Sequence, residues 1–538
     1  MFLRFKKIVQ HGLLLGAMCC GHPALAATSI PFTINMSEAV TVSGCPATCP
    51  RIAIDVGGTT RYATYTSGSG TASLIFTYQM VSGDVDLDGI ALSSPIDLNG
   101  GTIIDVNGNA ISNLTFTPPN TSGVKVDYPS LSMNFLNNDY ILSGTHYASL
   151  SAFLTAAGGT FSRASTGTYY DSAGILQTAS SNTPRLDYDP ATLAAKGVLI
   201  EAQRTNLIIR SEEYNTWTQD DGSIVTDTAI APDGQMTAEK FVTNTNLAQH
   251  RVKRTVALTA GNTYTSSVYV KKAGYDYYMI FWSPLGSANI AVNLDTGSVI
   301  TSGGGEKVGQ SVTPLPNGWY RVSVTLTTVN GGNYQQLNYA YNGANNFTGD
   351  GVSGIYIWGS QVEQSAFPTS YIFTTASTVT RLSDDLTVPT GGWYNASEGT
   401  IAPTASIPYL GSTNNPGFAS IDNGTSANAV YLSVQDSTTD RLVPAIATGN
   451  VNQYINNFGA TYVAGATSKI ATAFNNNDAN TAKDGVLGTQ DTSVTVPAVS
   501  VLRLGQNRGG GQHLNGWIEN IKYYPLRVSD AQLQILTQ

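Results

Sequence analysis

Val322, Val324 and Leu326 alternate with Ser323, Thr325 and Thr327, and Val268 and Val270 alternate with Tyr269 and Lys271. A two-residue period sends successive side chains to opposite faces, which suits a strand with one buried face and not a helix. The pattern recurs along the chain. Residues 51–56 and 59–65 flank Gly57-Gly58, a two-residue hairpin turn, and 74–78 reads as a further strand. Asp295-Thr296-Gly297 turns the chain between apolar segments at 292–294 and 299–300. Only 12% of the residues are charged, against roughly 25% in ordinary domains, while glycine (54) and tyrosine (28) are abundant. Strand and turn formers therefore dominate. The expectation is an all-β protein of β-sandwich domains with one or two short helices.

The first 27 residues bear on compartment. Arg4, Lys6 and Lys7 precede a short apolar run at 12–20, and Ala24-Leu25-Ala26 offers an A-x-A cleavage site, the pattern of a secretory signal peptide. Met18 and Cys19, rather than small residues, precede Cys19 and Cys20, so lipidation is the weaker reading. No stretch reaches 18 consecutive apolar residues, so no transmembrane segment is expected. Cleavage leaves Cys45 and Cys49, in SGCPATCPR. A close pair in an oxidising compartment is expected to form a disulfide. A redox or metal role for CxxxC lacks both the usual spacing and further ligands. The leader holds three basic residues and no acid, so the 27 basic residues fall to 24 beside 36 acidic ones, a net charge of −12. That balance, with no basic cluster, excludes nucleic acid as an expected partner.

Residues 160–372 contain TFSRASTGTYYDSAGILQ, PRLDYDP, GVLIEAQRTNLIIRSEEYNTW, NGWYRVSVTL and GDGVSGIYIWGSQVEQSAFPTSYI in that order. This series resembles the carbohydrate-binding-module-like jelly roll of phage tail-fibre and head-spike proteins and of the bacterial surface proteins that share it. Upstream, FTINMSEAVTVSG, GGTTRYATY, DVDLDGI and NGGTIIDVNGNAI resemble the immunoglobulin-like repeats of bacterial adhesins. The closing phrase QHLNGWIENIKYYPLRVSDAQLQIL looks like the last strand and terminal helical turn of laminin-G or concanavalin-A-like sandwiches, with Ser529 as a helix cap. The expected organisation is a signal peptide (1–27), an immunoglobulin-like domain (28–128), a linker with a short helix (129–159), the jelly roll (160–378) and a terminal sandwich (379–538). In the linker, Tyr147, Leu150, Phe153 and Leu154 share one helical face, which packs on its own domain or against a second copy in an oligomer.

The resemblances imply a secreted or cell-surface protein that binds glycans without catalysis. A phage-derived receptor-binding protein and a polysaccharide-degrading glycoside hydrolase are the alternatives. Sugar recognition needs flat aromatic faces with amide or carboxylate partners. The expected ligand-binding set is Tyr275, Tyr277, Tyr278, Trp282, Tyr334, Gln336 and Tyr339, because consecutive aromatics in YDYYMIFW must face both sides of a strand. Asp84, Asp86 and Asp88 in DVDLDG open like a calcium loop; the alternative is a turn rich in Asp and Gly for backbone reasons. The jelly-roll resemblance also implies a structural calcium near Ser211-Glu212-Glu213 and 355–363. No HExxH, GxSxG or CxxC motif occurs, and His146, His250 and His513 lie in separate regions. For a glycosidase the available carboxylates are Asp187, Asp189 and Glu201; otherwise they are loop carboxylates ahead of a strand.

Overall fold

The computed structural model describes residues 28–284, 288–409, 415–435, 440–456, 458 and 462–538. The expected signal peptide lies outside them. The described chain is all-β, with antiparallel strands and the α-helices Leu150–Ala157 and Asp530–Leu536. Both helices start at serine caps: Ala152 N donates to Ser149 Oγ at 3.2 Å and Gln532 N to Ser529 Oγ at 3.3 Å.

The first domain is built on a six-stranded sheet ordered Ala91–Leu92, Arg51–Val56, Thr59–Ser67, Thr71–Gln79, Ser29–Ser43 and Thr102–Ile104. Strand Ser29–Ser43 changes partner midway, pairing through residues 29–35 with Thr71–Gln79 and through 41–43 with Thr102–Ile104. This switch wraps the sheet around Ile34, Ile54 and Phe76, with Leu114, Phe116 and Val126 in the same core. Gly57 sits at φ +58°, where a Cβ would meet Val85 O at 2.2 Å, so the expected hairpin turn needs glycine. Cys45 and Cys49 are joined by a disulfide.

The jelly roll consists of two six-stranded sheets. One runs Thr218–Asp220, Arg251–Leu258, Gly332–Tyr341, Tyr277–Ser283, Ala288–Asn293, Val299–Gly303. The other runs Gly222–Ala229, Ala238–Thr243, Gly354–Glu363, Thr263–Ala273, Trp319–Thr327, Lys307–Pro314. Val268, Val270, Val322, Val324 and Leu326 fill the core between them, as the alternation dictates.

Strand pairing redraws two expected boundaries. Residues 129–159 are not a linker: Leu131–Asn134 pairs with Gly516–Tyr524, and Asp139–Leu142 extends that sheet. Helix Leu150–Ala157 sinks Phe153 into the core beside Leu386 and Val388, so its apolar stripe is buried within its own chain. Thr160–Ser162 then pairs with Asp385–Pro389, and Ala195–Ile200 with Gly516–Tyr524. Residues 129–200 and 385–538 thus build one sandwich from a ten-stranded and a seven-stranded sheet. The jelly roll starts after Asn206, not at 160. It is inserted between strands Arg204–Asn206 and Val379–Arg381, which pair with Asn206 opposite Val379. Partners hundreds of residues apart leave no local pattern, whereas the phrase from 160 onwards reads continuously across the boundary.

The first domain docks on this sandwich. Val85 and Leu87 pack with Ala402, Ala471, Ala473 and Leu533, and Leu87 N donates to Gln532 Oε1 at 2.8 Å.

Candidate functional site

Strand Tyr277–Ser283 divides its aromatic run between two faces. Tyr278, Trp282 and Gln336 are fully buried and Tyr334 nearly so. Tyr278 OH donates to Asn338 Oδ1 at 2.6 Å, Gln336 Nε2 to Ser360 Oγ at 2.9 Å, and the Trp282 and Tyr334 rings lie 6.4 Å apart. Burial pushes the Tyr278 phenol well above its usual range. These four expected ligand contacts are core residues. The polar ends of Tyr278, Gln336 and Tyr334 are met by internal hydrogen bonds, whereas the Trp282 Nε1 has no partner among the described residues. Tyr275 is half-buried at the sheet's end, with its OH 3.1 Å from Thr243 Oγ1 and its ring edge on Phe347 at 5.1 Å.

The opposite face collects the rest. Tyr277, Met279 and Phe281 stand in register with Tyr341, Tyr339 and Leu337 on strand Gly332–Tyr341. Tyr277 meets Tyr341 edge-on at 6.4 Å and Phe281 meets Tyr339 at 6.3 Å. Tyr277, Phe281 and Tyr341 are half-buried, and Tyr339 is 5% exposed. On one side register places Asn289 and Asn293. On the other side stand Arg251 and Lys253, opposite Tyr339 and Leu337. Asp220 Oδ2 holds both cations, at 2.7 and 2.6 Å, and Arg251 Nη1 donates to Tyr339 OH at 2.7 Å. The band therefore offers ring edges and faces bordered by amides and a fixed guanidinium. Phe281 and Arg251 were absent from the expected set. Parity within YDYYMIFW carries the signal, since the set 278, 280, 282 holds Trp and Ile and goes inward.

The three carboxylates proposed for hydrolysis lie where the two sandwiches meet. Glu201 Oε2 lies 2.8 Å from Arg185 Nη1 and 3.3 Å from Arg381 Nη2, and its oxygens accept from Ser370 N and Oγ. Burial pushes its pKa up, but Arg381 and Arg185 outweigh this and hold it down at about 2. Arg185 and Arg163 both pair with Asp384, and all three side chains are fully buried. Asp187 accepts from Tyr170 N and Trp517 Nε1, each at 2.7 Å, and burial raises its pKa to about 6. Asp189 Oδ1 accepts from Ala191 N and Thr192 N. These groups are engaged in structural hydrogen bonds, though Asp187 lies within strand Leu186–Tyr188 and Glu201 directly follows strand Ala195–Ile200 rather than lying in a loop ahead of it. The phrases around Arg163, Arg185, Glu201 and Arg381 thus supply the junction of the fold.

The calcium assignment is corrected. Asp84 pairs with Arg61 at 2.7 Å and accepts from Tyr78 OH. Asp86 accepts from Gly57 N and Gly89 N, each at 2.7 Å, while Asp88 accepts from Gln532 Nε2. The DVDLDG segment closes a turn and ties the first domain to the terminal sandwich. Near the jelly-roll termini, Glu213 pairs with Arg210, Glu212 accepts from Tyr371 OH, and Glu363 accepts from Thr369 and Gln361. Among the described residues no three His, Cys, Asp or Glu side chains are grouped to hold a metal ion. No described helix is long and apolar enough to cross a membrane.

No protein-family model and no curated protein matches the chain. Solved structures similar to parts of it include a carbohydrate-binding module of a Ruminococcus gnavus sialidase bound to sialyllactose (17% identity, 27% of this chain and 84% of that one, TM-score 0.23). Domain 4 of a Geobacillus stearothermophilus arabinanase, in complex with arabinotriose, is 13% identical over 32% of this chain and 84% of that one, at a TM-score of 0.24. Two laminin G domains of the mouse laminin α1 chain are 11% identical over 53% of this chain and 89% of that one, at 0.20. These scores are low, so the assignments below rest on this chain's own side chains.

Proposed function

We propose that the protein is a secreted, non-catalytic glycan-binding protein, exported by its leader and engaging extracellular or cell-surface glycans through the jelly roll. The supporting observation is the outward band of the half-buried Tyr277, Phe281 and Tyr341, packed around the buried Tyr339, with Arg251, Asn289 and Asn293 at its border. Sugar C–H faces pack on such rings while amide and guanidinium groups meet the hydroxyls, each ring contributing on the order of 1–3 kcal/mol. The engagement of Asp187, Asp189 and Glu201 in structural hydrogen bonds supports a binding role rather than hydrolysis. A panel of immobilised glycans and bacterial surface polysaccharides, probed with the leader-free chain, tests the proposal. Saturable binding to a defined subset is expected; binding to none of them refutes it.

A further inference from the structure

A second site lies apart from that band, in a cleft of about 260 Å³ between the jelly roll and the terminal sandwich. Its volume is just below the roughly 300–1,000 Å³ of small-molecule pockets, which suits a single substituted sugar residue better than an extended chain. Rings wall it from both domains. Tyr409 stacks on Phe367 with centroids 5.1 Å apart and planes 2° from parallel, and the hydroxyls of Tyr170 and Tyr269 lie 3.0 Å apart. Trp517 faces the same space, with Lys196 Nζ 3.7 Å from its ring centroid.

The charges are unevenly satisfied. Both oxygens of Asp187 are occupied, by Tyr170 N and Trp517 Nε1, and Lys196 lies 3.9 Å from Asp189. Glu201 is held by two arginines. Glu363, whose charge also acts on Arg321, is occupied by Thr369 and Gln361. Arg321 differs. Its guanidinium donates to Ser267 Oγ at 2.9 Å and lies 5.4 Å from the Tyr269 ring centroid; unlike Arg185 and Arg381, whose Nε atoms also lack an acceptor, it makes no ion pair among the described residues. A guanidinium carries five N–H donors in a planar fork that matches a carboxylate. Here that fork sits at a cleft whose own acids are already committed.

We propose that this cleft binds an acidic sugar residue, with its carboxylate on Arg321 and its ring against the aromatic walls. Arg321 comes from the jelly roll and Tyr409 and Trp517 from the sandwich, so the site exists only where the inserted domain packs on its host. Asn515, Ser311 and Thr313 line the cleft as hydroxyl partners.

The test is calorimetric titration of the leader-free chain with sialyllactose and with galacturonate, each beside its neutral methyl ester. The acid of at least one pair is expected to bind tenfold or more tighter than its ester. Arg321→Gln is expected to erase that preference, leaving ester binding unchanged. Tyr409→Ala is expected to weaken acid and ester alike. Should Arg321→Gln fail to fold, Arg321→Lys replaces it, with at least a tenfold loss of affinity for the acid expected from the missing planar fork. Equal affinity for acid and ester, or a preference that survives at Arg321→Gln or Arg321→Lys, overturns the proposal. So does binding lost in Tyr277→Ala but not in Tyr409→Ala, which assigns recognition to the jelly-roll face alone. Binding of none of the four probes also overturns it and leaves the glycan-panel result at the sheet face standing.

Discussion

Arg163 Nη1 stands 2.8 Å from Asp384 Oδ1, with both side chains fully buried. The two residues are far apart in sequence, one after the strand Thr160–Ser162 and the other beside its partner strand Asp385–Pro389. They join the chain ahead of the inserted jelly roll to the chain that returns from it. Arg185 and Arg381 complete the cluster with Glu201. Backbone carbonyls take further guanidinium donors, Ser180 and Thr183 for Arg163, Thr168 for Arg185 and Ala202 for Arg381, while the Nε atoms of Arg185 and Arg381 have no acceptor among the described residues.

Removing one member strands a buried charge, which costs about 3–5 kcal/mol. Arg163→Ala and Asp384→Ala are each expected to lose that much stability in denaturant melts. The double variant is expected to lose less than the two losses added, because the residues share one network. Single losses under about 1 kcal/mol would show that the cluster does not hold the junction.

Glu212 and Glu239 give the jelly roll a pH signature. Burial raises both to about 7; neighbouring acids add to the shift, and hydrogen bonds from Tyr371 to Glu212 and from Asn215 to Glu239 oppose it. A folded pKa above the unfolded value of about 4.3 means that the native state holds the proton more tightly. The associated stability is complete below the unfolded pKa and is lost as pH rises through about 7. Glu201, held down at about 2, contributes stability lost only towards pH 2, so it does not offset the effect near neutrality. Melting temperature is expected to fall between pH 5 and pH 8, and Glu212→Gln with Glu239→Gln to flatten the slope. A profile that rises over that range contradicts the assignment.

The disulfide predicts chemistry as well as geometry. The chain lacking residues 1–27, produced under oxidising conditions, is expected to show no reactive thiol when denatured without reductant. Because Cys45 and Cys49 close so short a loop, reduction is expected to cost less than about 3 kcal/mol. Two titratable thiols in the non-reduced protein would refute the bridge.

Much of this architecture was legible because its cause is local. The strands at 268–271 and 322–327, the Gly57-Gly58 turn and the Ser529 cap appear as read, although the second face of those strands is buried too, at Tyr269, Ser323 and Thr325. What escaped depends on distant partners. Phe153 reads as a stripe on a linker helix, yet its burial is decided by Leu386 and Val388. DVDLDG reads as a cation loop because Arg61, Tyr78 and Gln532, which take up its carboxylates, lie elsewhere in sequence. The aromatic run signalled a two-faced strand, but which tyrosine faced out depended on parity with the core, and only Tyr277 and Tyr339 of the expected set lie on the outward band.

Binding without turnover is the expected catalytic behaviour. Long incubation with any polysaccharide the protein binds is expected to release no shortened oligosaccharide. Products that vanish in Asp187→Asn or Asp189→Asn, with the fold intact, would establish hydrolysis instead.

The central claim is tested most directly by titrating one glycan that binds the jelly roll against outward and inward tyrosine variants, with a melting curve for each. Tyr277→Ala and Tyr341→Ala are expected to weaken binding about tenfold or more, on the order of 1.4 kcal/mol, with cooperative melting kept. Tyr278→Ala is expected to cost about 3–5 kcal/mol of stability as a core truncation. Unchanged affinity in both outward variants, with their folds intact, would contradict the assignment of the glycan to this face.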